Sequence, residues 1–501
     1  MSRRIGAVKS RTGCTTCKIR KVKCGEEKPS CLRCSNTGRK CEYESRVTPP
    51  WIPSTPSHAL SWSQNATRRE RRAFAYYFHH VSQHLAGGMN VDFWTGVVPQ
   101  ICRSEPAVWD ALIAISALYE NPKQCMDFHF LKDHRRKAIL FDWAQEEALT
   151  WYSRSISGVS SQIQRGSADP YIALISCALF ICVETIQGRM EKALELYRQG
   201  ISLILDLRAQ IDHGRVSTSR AVLLERSIVP LFLRLGTSSL TISGTQFPFE
   251  LFAFVETDMS AGFASVDSAR TALSALAAQV ILFEREASLH LKAVGTDYAE
   301  TVFDGHFLDF VTIVEQSKLI LDASAGPNGA QPPFTFEMSV GVPLAMTVLR
   351  CRDPILRRRA LDLLRLAPPI QGFFKCVPVA LLSETLMNLE EGYRLALRQD
   401  NTVALLHKAP NNSVSSGIST AITAHETAGS QAALIPEEAR IHDYSIFRPN
   451  EWQPSWITEE DLAPFSHDPN QLYLGFSRNQ YDKESNIWRP TFQCIPLKAS
   501  L

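Results

Sequence analysis

Six cysteines near the amino terminus follow a repeated spacing that is typical of metal ligands. They are Cys14, Cys17, Cys24, Cys31, Cys34 and Cys41. The pattern C-x2-C-x6-C occurs twice, displaced by 17 residues, which predicts two similar half-sites related by an approximate twofold axis. Soft thiolate ligands favour zinc over hard cations such as magnesium. A tetrahedral zinc ion takes four ligands, so six thiolates can hold two ions only if two of the thiolates bridge.

The repeat identifies which cysteines are equivalent in the two half-sites. The first members, Cys14 and Cys31, are therefore predicted to bridge the two ions. A domain of this size has little apolar core, so metal binding is expected to supply most of its folding free energy. Two alternatives remain, a pair of redox C-x-x-C motifs and an iron–sulfur site. Redox motifs do not require a third cysteine at a repeated interval, so zinc explains more of the pattern.

Four cations lie between the second and third cysteines of the first half-site. They are Lys18, Arg20, Lys21 and Lys23. The equivalent positions of the second half-site contain one cation, Lys40. Charge that served solubility alone would have little reason to differ between the halves, so the asymmetry indicates a polyanionic partner. A short helix from Cys17 is expected to turn Ile19 and Val22 toward the cluster and the cations outward.

The chain of 501 residues is long enough for a small domain followed by a large one. Residues 1–48 contain 13 Lys or Arg and 4 Asp or Glu, a net charge of +9, whereas the remainder has a net charge of −7. No secretory signal opens the chain, and the longest apolar run, residues 171–183, is too short to span a bilayer. This run is predicted to be a buried helix. We therefore expect an intracellular protein whose clustered cysteines bind metal rather than form disulfides.

Composition divides the chain into four parts. Residues 1–44 form a cysteine-rich domain with a basic arm, 45–67 a proline-rich linker, 68–408 a helical domain, and 409–501 a loop with a carboxyl-terminal extension. The predicted fold class is a small Zn2Cys6 metal-cluster domain plus a large all-α domain of antiparallel helices. A homodimer is compatible with the sequence, although sustained heptads that would specify a coiled coil do not follow the linker.

Apolar residues recur at helical spacing in four stretches that are predicted to face the core. The stretches are 74–85, 108–119, 194–204 and 273–287. Residues 357–359 are three consecutive arginines, for which a charged helix face is favoured over a contact with DNA. Residues 451–465 mix acidic and aromatic side chains, as activation segments do. The more ordinary interpretation of that segment is an extension packed on the helical domain.

The stretch GCTTCKIRKVKCGEEKPSCLRCSNTGRKCEY resembles the DNA-binding domain of fungal zinc binuclear-cluster transcription factors and matches all six cysteine positions. The resemblance implies two zinc ions, a first helix in the DNA major groove and a GC-rich target triplet of the CGG type. The cations that it implies contact DNA are Lys18, Arg20, Lys21, Lys23, Arg39 and Lys40. Of these, Arg20 and Lys21 are assigned to base edges and the others to phosphates.

Blocks such as ISCALFICVETIQGR and CRDPILRRRALDLL are similar to the fungal-specific helical domain that accompanies this cluster in many regulators. The two resemblances imply a nuclear regulator of RNA polymerase II transcription that binds specific DNA, works with the transcription machinery or co-regulators, and has no membrane partner. Control of a metabolic gene cluster is common in this family. No G-x-S-x-G, H-E-x-x-H or G-x-G-x-x-G motif occurs, so an enzyme is not predicted. The alternative is a protein-interaction or metal-sensing zinc-cluster protein without specific DNA readout.

Overall fold

The computed structural model divides the chain into two compact units, residues 1–59 and residues 60–501. The described residues are 13–41, 66–87, 92–122, 143–240, 251, 262–263, 265–293, 299–408, 435–449, 452–462 and 471–497. Most of the linker predicted at 45–67 therefore lies outside the described residues.

The first unit contains two short helices, α1 (Thr15–Ile19) and α2 (Leu32–Ser35). Each helix begins directly after the first cysteine of its half-site, because Cys14 and Cys31 occupy the N-cap positions. Among the described residues of this unit, five cysteine side chains are buried and that of Cys41 is partly buried. An apolar core is thus replaced by a cluster of sulfur atoms.

The two half-sites share a turn as well as a cysteine spacing. Lys21 has a φ of 55°, and Gly38, 17 positions later, has a φ of 61°. Glycine adopts this left-handed conformation at little cost, whereas a lysine is strained in it. The predicted repeat is therefore present in the backbone of both halves.

The expected packing of two apolar side chains on the cluster is wrong. Ile19 is 77% exposed and Val22 is 37% exposed. The helix that carries Ile19 ends at that residue, and the chain turns at Arg20 and Lys21 before it reaches Val22. The two side chains consequently do not share a helix face that could cover the sulfur atoms.

The second unit begins with an array of helices. Their bounds are α3 (Arg68–Tyr76), α4 (Ser82–Ala86), α5 (Val98–Ile101), α6 (Pro106–Glu120), α7 (Trp143–Gln164), α8 (Pro170–Ile186), α9 (Met190–Asp212), α10 (Thr218–Leu223), α11 (Val229–Ser239) and α12 (Val266–Ala293). Wider π-helical turns precede α4, α5 and α11, at Tyr77–Val81, Phe93–Val97 and Leu224–Ile228. Local signals begin several helices: Thr67 and Glu70 form a capping box at α3, and Asp169 caps α8 immediately before Pro170.

Three of the four predicted apolar stripes face the core. Phe74 in α3, Val108 in α6 and Ile201 in α9 are 3%, 0% and 4% exposed. The apolar run 171–183 lies within α8, a helix that is buried over most of its length, as predicted. Helix α6 packs against α7 and α8. Among the described helices, none combines the length and the apolar composition needed to cross a bilayer.

The prediction for the fourth stripe, residues 273–287 of α12, is wrong. Leu273 is 61% exposed and Phe283 is 73% exposed. The buried face of α12 instead carries Ala272, Ala275 and Ala278, at 4%, 1% and 1% exposure, and α12 packs against α11. Small side chains allow two helix axes to approach closely, and the larger apolar residues then lie on the opposite side. The apolar period identified the helix but not its packed face.

The rest of the helical region adds four helices and a minor sheet. The helices are α13 (Phe307–Ser324), α14 (Gly341–Arg350), α15 (Pro354–Leu366) and α16 (Cys376–Lys408), and a 3-10 turn at Glu300–His306 precedes α13. Strands β1 (Phe334–Thr335), β2 (Ile370–Gln371) and β3 (Phe374–Lys375) pair in that order. Val314, Leu344 and Leu364 are fully buried in the core between these helices. The predicted fold class, a cluster domain plus a mostly helical large domain, is confirmed.

A three-stranded antiparallel sheet near the carboxyl terminus was not predicted. Its strands are β4 (Ile441–Phe447), β5 (Tyr473–Asp482) and β6 (Ile487–Pro496), with β5 in the centre, and α17 (Glu459–Leu462) lies between β4 and β5 in the chain. A 3-10 turn at Glu437–Ala439 precedes β4. Residues 473–477 of β5 are all buried. A strand covered on both faces lacks the alternating pattern that reveals strands in a sequence.

Buried ion pairs connect this sheet to the helices. Glu390 of α16 accepts hydrogen bonds from Arg352 at 2.8 Å, from Arg357 at 2.9 Å and from the backbone N–H of Ile441 at 2.9 Å. The side chains of Arg352, Arg357 and Glu390 are at most 2% exposed. The charged helix face expected at 357–359 is therefore buried at Arg357, because its guanidinium compensates a buried carboxylate.

Candidate metal centre and nucleic-acid interface

The six amino-terminal cysteines lie together in two overlapping groups of four. One group is Cys14, Cys17, Cys24 and Cys31, and the other is Cys14, Cys31, Cys34 and Cys41. Within each group the sulfur atoms lie within 4.8 Å of one another. Cys14 and Cys31 belong to both groups, and they are the two residues that the repeat predicts as bridging ligands.

The distances between sulfur atoms suit tetrahedral zinc. Cys14 Sγ lies 3.8 Å from Cys31 Sγ and 3.7 Å from Cys34 Sγ, and Cys17 Sγ lies 3.7 Å from Cys31 Sγ. Zinc–sulfur bonds of about 2.3 Å in tetrahedral geometry place two sulfur ligands about 3.8 Å apart. A disulfide would require about 2.0 Å, so these pairs are not disulfide-bonded. The donor set and its spacing therefore fit two zinc ions.

Backbone N–H groups fix the sulfur atoms in a pattern that repeats across the two half-sites. The N–H of Cys14 donates to Cys24 Sγ at 3.3 Å, and the N–H of Cys31 donates to Cys41 Sγ at 3.3 Å. These donors and acceptors are equivalent in the repeat. Such hydrogen bonds orient metal ligands and stabilise negative charge on thiolates. The start of each helix thus prepares the last cysteine of its half-site as a ligand.

Two of the cysteine thiols, those of Cys14 and Cys34, need a neighbouring cation to lose their protons at neutral pH. Burial raises the pKa of the Cys34 thiol to about 12, and burial also raises the pKa of the Cys14 thiol. At neutral pH these groups would remain protonated unless a positive charge lay next to them. A zinc ion supplies that charge and binds the thiolate form, so its binding releases protons.

The cations that sequence analysis assigned to DNA surround the first half-site and the end of the second. The exposed members of the set are Lys18, Lys21, Lys23, Arg39 and Lys40. Lys18 lies in the last turn of α1. Because α1 ends at Ile19, Arg20 and Lys21 lie on the turn after the helix and Lys23 follows that turn.

Arg20 differs from the other cations because it is only partly exposed. Its Nη1 donates to Thr37 Oγ1 at 3.3 Å, and that hydroxyl donates to the carbonyl oxygen of Arg33 at 2.8 Å. Thr37 is the residue equivalent to Arg20 in the second half-site. The guanidinium therefore links the two halves.

Two further residues that order the site were not identified from the sequence. Glu27 Oε2 accepts a hydrogen bond from the backbone N–H of Leu32 at 3.1 Å and so caps the start of α2. Thr16 Oγ1 donates to the carbonyl oxygen of Lys40 at 2.8 Å, which ties α1 to the end of the second half-site. Glu27 precedes Leu32 by five residues, so the usual capping spacing did not reveal it.

Comparison with known families gives two matches. Residues 12–49 match the fungal Zn(2)-Cys(6) binuclear cluster domain, and residues 72–274 match the fungal specific transcription factor domain. Both are domains of transcription factors rather than of enzymes. No solved structure matches the chain.

Curated relatives carry related names. The chain is 58% identical over 40 residues to the aspercryptin biosynthesis cluster-specific transcription regulator atnN of Emericella nidulans, covering 8% of this chain and 7% of that protein. It is 25% identical over 207 residues to the transcription regulator lscL of Purpureocillium lilacinum, covering 38% and 48%. It is 29% identical over 126 residues to the Zn(2)-C6 fungal-type transcription factor afumD of Aspergillus fumigatus, covering 23% and 34%.

The matches to these relatives cover less than half of each relative's length. The cluster geometry, the two domain matches and the relatives nevertheless agree with one another. Residues 12–49 are similar to the fungal Zn(2)-Cys(6) binuclear cluster domain and residues 72–274 to the fungal specific transcription factor domain, and relatives that match parts of the chain are named as transcription regulators.

Proposed function

We propose that this protein is a nuclear, zinc-dependent regulator of RNA polymerase II transcription that binds specific DNA through its amino-terminal cluster. The observation that carries the proposal is the combination of two four-sulfur groups with cations concentrated on one half-site. Two zinc ions and six thiolates carry a net charge of about −2, which partly offsets the repulsion among the four cations. A DNA backbone would offset the remainder and bind in a salt-dependent way.

The metal centre is proposed to hold two zinc ions. Cys14 and Cys31 bridge the two ions. Cys17 and Cys24 complete the coordination of the first ion, and Cys34 and Cys41 complete that of the second. The support is that the two bridging sulfur atoms are the ones shared by both groups. Zinc here is structural, since all four positions of each ion are filled by protein and none is left for a substrate.

DNA recognition is proposed to centre on Lys21. The O6 and N7 acceptors of guanine suit a lysine or arginine donor in the major groove, which agrees with a GC-rich triplet of the CGG type. Arg20 is proposed as a second base reader. Contacts to phosphates, which position the protein without specifying sequence, fall to the remaining cations. These are Lys18, Lys23, Arg39 and Lys40.

The parts of the chain beyond the cluster are proposed to control its output. Residues 45–67 serve as a linker, residues 68–408 form the regulatory helical domain, and residues 409–501 extend it. The transcription machinery or a co-regulator is the proposed protein partner. One relative is named as a regulator specific to a biosynthesis cluster, which supports a metabolic gene cluster as the target.

The test is a mobility-shift series with the full chain on a duplex that contains a CGG triplet, alongside zinc analysis by mass spectrometry. We expect two zinc ions per chain, loss of the shift on chelation and recovery when zinc is restored. Cys24→Ser should abolish the shift, whereas Cys177→Ser, in α8 outside the cluster, should leave it intact. Another zinc content, or a shift that survives chelation, would contradict the proposal. Zinc binding without any DNA preference would instead favour a metal-sensing or protein-interaction role.

A further inference from the structure

An acidic and aromatic segment, residues 452–462, packs against the β4–β6 sheet. Ile457 is 3% exposed and belongs to an apolar cluster with Phe447 and Tyr473. The indole of Trp456 stacks on Phe492 of β6 with ring centroids 5.2 Å apart and planes at 30°. The two apolar side chains at the centre of the segment are therefore its anchors on the sheet.

The central strand leaves room for the tryptophan. A Cβ atom at Gly475 of β5 would lie 2.9 Å from Cη2 of Trp456 and 3.2 Å from Cε1 of Phe447. Glycine weakens the interior of a strand, and its presence there often marks the close approach of another group. At this position the approaching group is the indole ring, so Gly475 forms the floor of a cleft for Trp456.

The charges of the segment lie on its other side. Glu459 and Glu460 are exposed, and Asp461 is partly exposed. At the start of the short helix α17, the backbone N–H of Thr458 donates a hydrogen bond to Asp461 Oδ2 at 2.8 Å. Cys494 Sγ of β6 donates to the carbonyl oxygen of Asp461 at 3.3 Å, which fixes the helix to the sheet. The segment thus buries Ile457, partly covers Trp456 and presents its carboxylates to solvent, while Trp452 at its start is 54% exposed.

This arrangement bears on a transcription regulator because activation segments use apolar anchors that acidic residues keep soluble. An anchor that fills a cleft on its own chain cannot fill a cleft on a partner at the same time. We propose that residues 452–462 are an activation segment held in an autoinhibitory contact by the Trp456 cleft, a proposal that rests on the proposed function. The partner is a basic, apolar groove on the transcription machinery. Only undocked molecules can bind this partner, so the apparent dissociation constant is the intrinsic one divided by the undocked fraction.

The test uses the full chain fused to a heterologous DNA-binding domain, with a reporter gene under that domain's site. Gly475→Ala should expel Trp456 and raise reporter output several-fold over wild type. Gly392→Ala is the matched control, because an added methyl group there meets nothing within 4 Å, and it should leave output unchanged. Phe492→Ala removes the stacking partner without introducing a clash, and it should also raise reporter output. It provides a second test if Gly475→Ala folds poorly.

The variant Trp456→Ala separates the effect of releasing the segment from the effect of damaging the sheet. Trp456→Ala undocks the segment but also removes its anchor, so it should give no gain, alone or combined with Gly475→Ala. Hydrogen exchange of the backbone amides in residues 452–462 should be faster in Gly475→Ala and in Phe492→Ala. Unchanged exchange in these two variants, faster exchange in them without a rise in output, or an equal rise in output in Trp456→Ala would overturn the proposal.

The readout is independent of the zinc cluster, because the added domain recruits the chain to the reporter. If the cluster fails to bind DNA in the mobility-shift series while Gly475→Ala still raises output, the proposed DNA recognition is wrong and the autoinhibitory contact is supported. If the cluster binds DNA and the undocking variants give no rise, the contact is not autoinhibitory and the proposed function stands.

Discussion

Lys21 has a strained backbone and an exposed ammonium group, and its equivalent in the second half-site, Gly38, shows what the turn requires. Both have a positive φ, 55° and 61°. The left-handed conformation costs a residue with a side chain about 1–2 kcal/mol. A strained residue at an exposed surface is typical of a functional position, since the strain persists only where the surrounding structure holds it. The sulfur cluster on either side of the turn provides that restraint.

Replacing Lys21 by glycine separates the role of the backbone from that of the side chain. Lys21→Gly should bind zinc as well as the wild type does and be as stable or slightly more stable, because glycine relieves the strain. Affinity for the preferred triplet should fall by about 1–3 kcal/mol, with relaxed preference at one base pair. Mobility shifts on duplexes that vary each triplet position measure both quantities.

Lys23→Ala is the control for that experiment. A phosphate contact is not sequence-specific, so this variant should weaken binding to every duplex about equally and lower the salt slope by about 1. A loss confined to particular sequences would show that Lys23 reads a base.

At the residue scale, the sequence predicted which side chains cluster. It predicted fewer of the contacts between them. Spacing alone predicted the pairing of Cys14 with Cys31, because equivalence in a repeat is visible in the chain. The contact between Arg20 and Thr37 could not be predicted, since it depends on how closely the second half folds over the first. Periodicity also failed for Ile19, because a helix of 5 residues has no face long enough to bury.

Helix α12 shows that apolar periodicity can also fail to identify the packed face of a whole helix. Ala275, 1% exposed, lies on the face packed against α11, whereas Leu273 is 61% exposed. Ala275→Leu should therefore destabilise the helical unit by about 1–3 kcal/mol through overpacking. Leu273→Ala should change stability by no more than about 0.5 kcal/mol. Urea unfolding of both variants is the measurement, and a larger loss for Leu273→Ala would restore the face that periodicity predicted.

The elements that the sequence predicted well are those with one apolar face. Helices α3, α6 and α9 each bury the stripe that the period identified. Strand β5 is covered on both faces and α12 packs through alanines, and in neither case does hydrophobic contrast mark the buried side. Where contrast is missing, tertiary packing decides the arrangement.

At the scale of the whole molecule, buried charge ties the carboxyl-terminal sheet to the helices. Arg357, 1% exposed, donates to Glu390 at 2.9 Å, and Glu390 also accepts from the first residue of β4. Replacing Arg357 removes one charge-assisted hydrogen bond and leaves Glu390 with Arg352 as its buried cation. Arg357→Met should therefore destabilise the helical unit by about 1.5–3 kcal/mol in denaturant unfolding.

Arg358 provides the matched control for that substitution. Its side chain is 47% exposed and pairs with Glu391 at 2.7 Å. An exposed pair contributes about 0–1 kcal/mol, so Arg358→Met should have a small effect. Equal losses in the two variants would mean that burial does not set the strength of these pairs.

The two compact units owe their stability to different sources, and chelation should separate them. The first unit buries sulfur atoms in place of an apolar core, so removing zinc removes most of its folding free energy. The second unit has its own core, in which Leu112, Val183 and Leu344 are fully buried. A chelator should therefore abolish DNA binding while the denaturant midpoint of the helical unit, followed by far-ultraviolet circular dichroism, stays the same. A midpoint that fell together with DNA binding would show that zinc also supports the helical unit, and the cluster would then act as part of the larger fold rather than as a separate DNA-binding module.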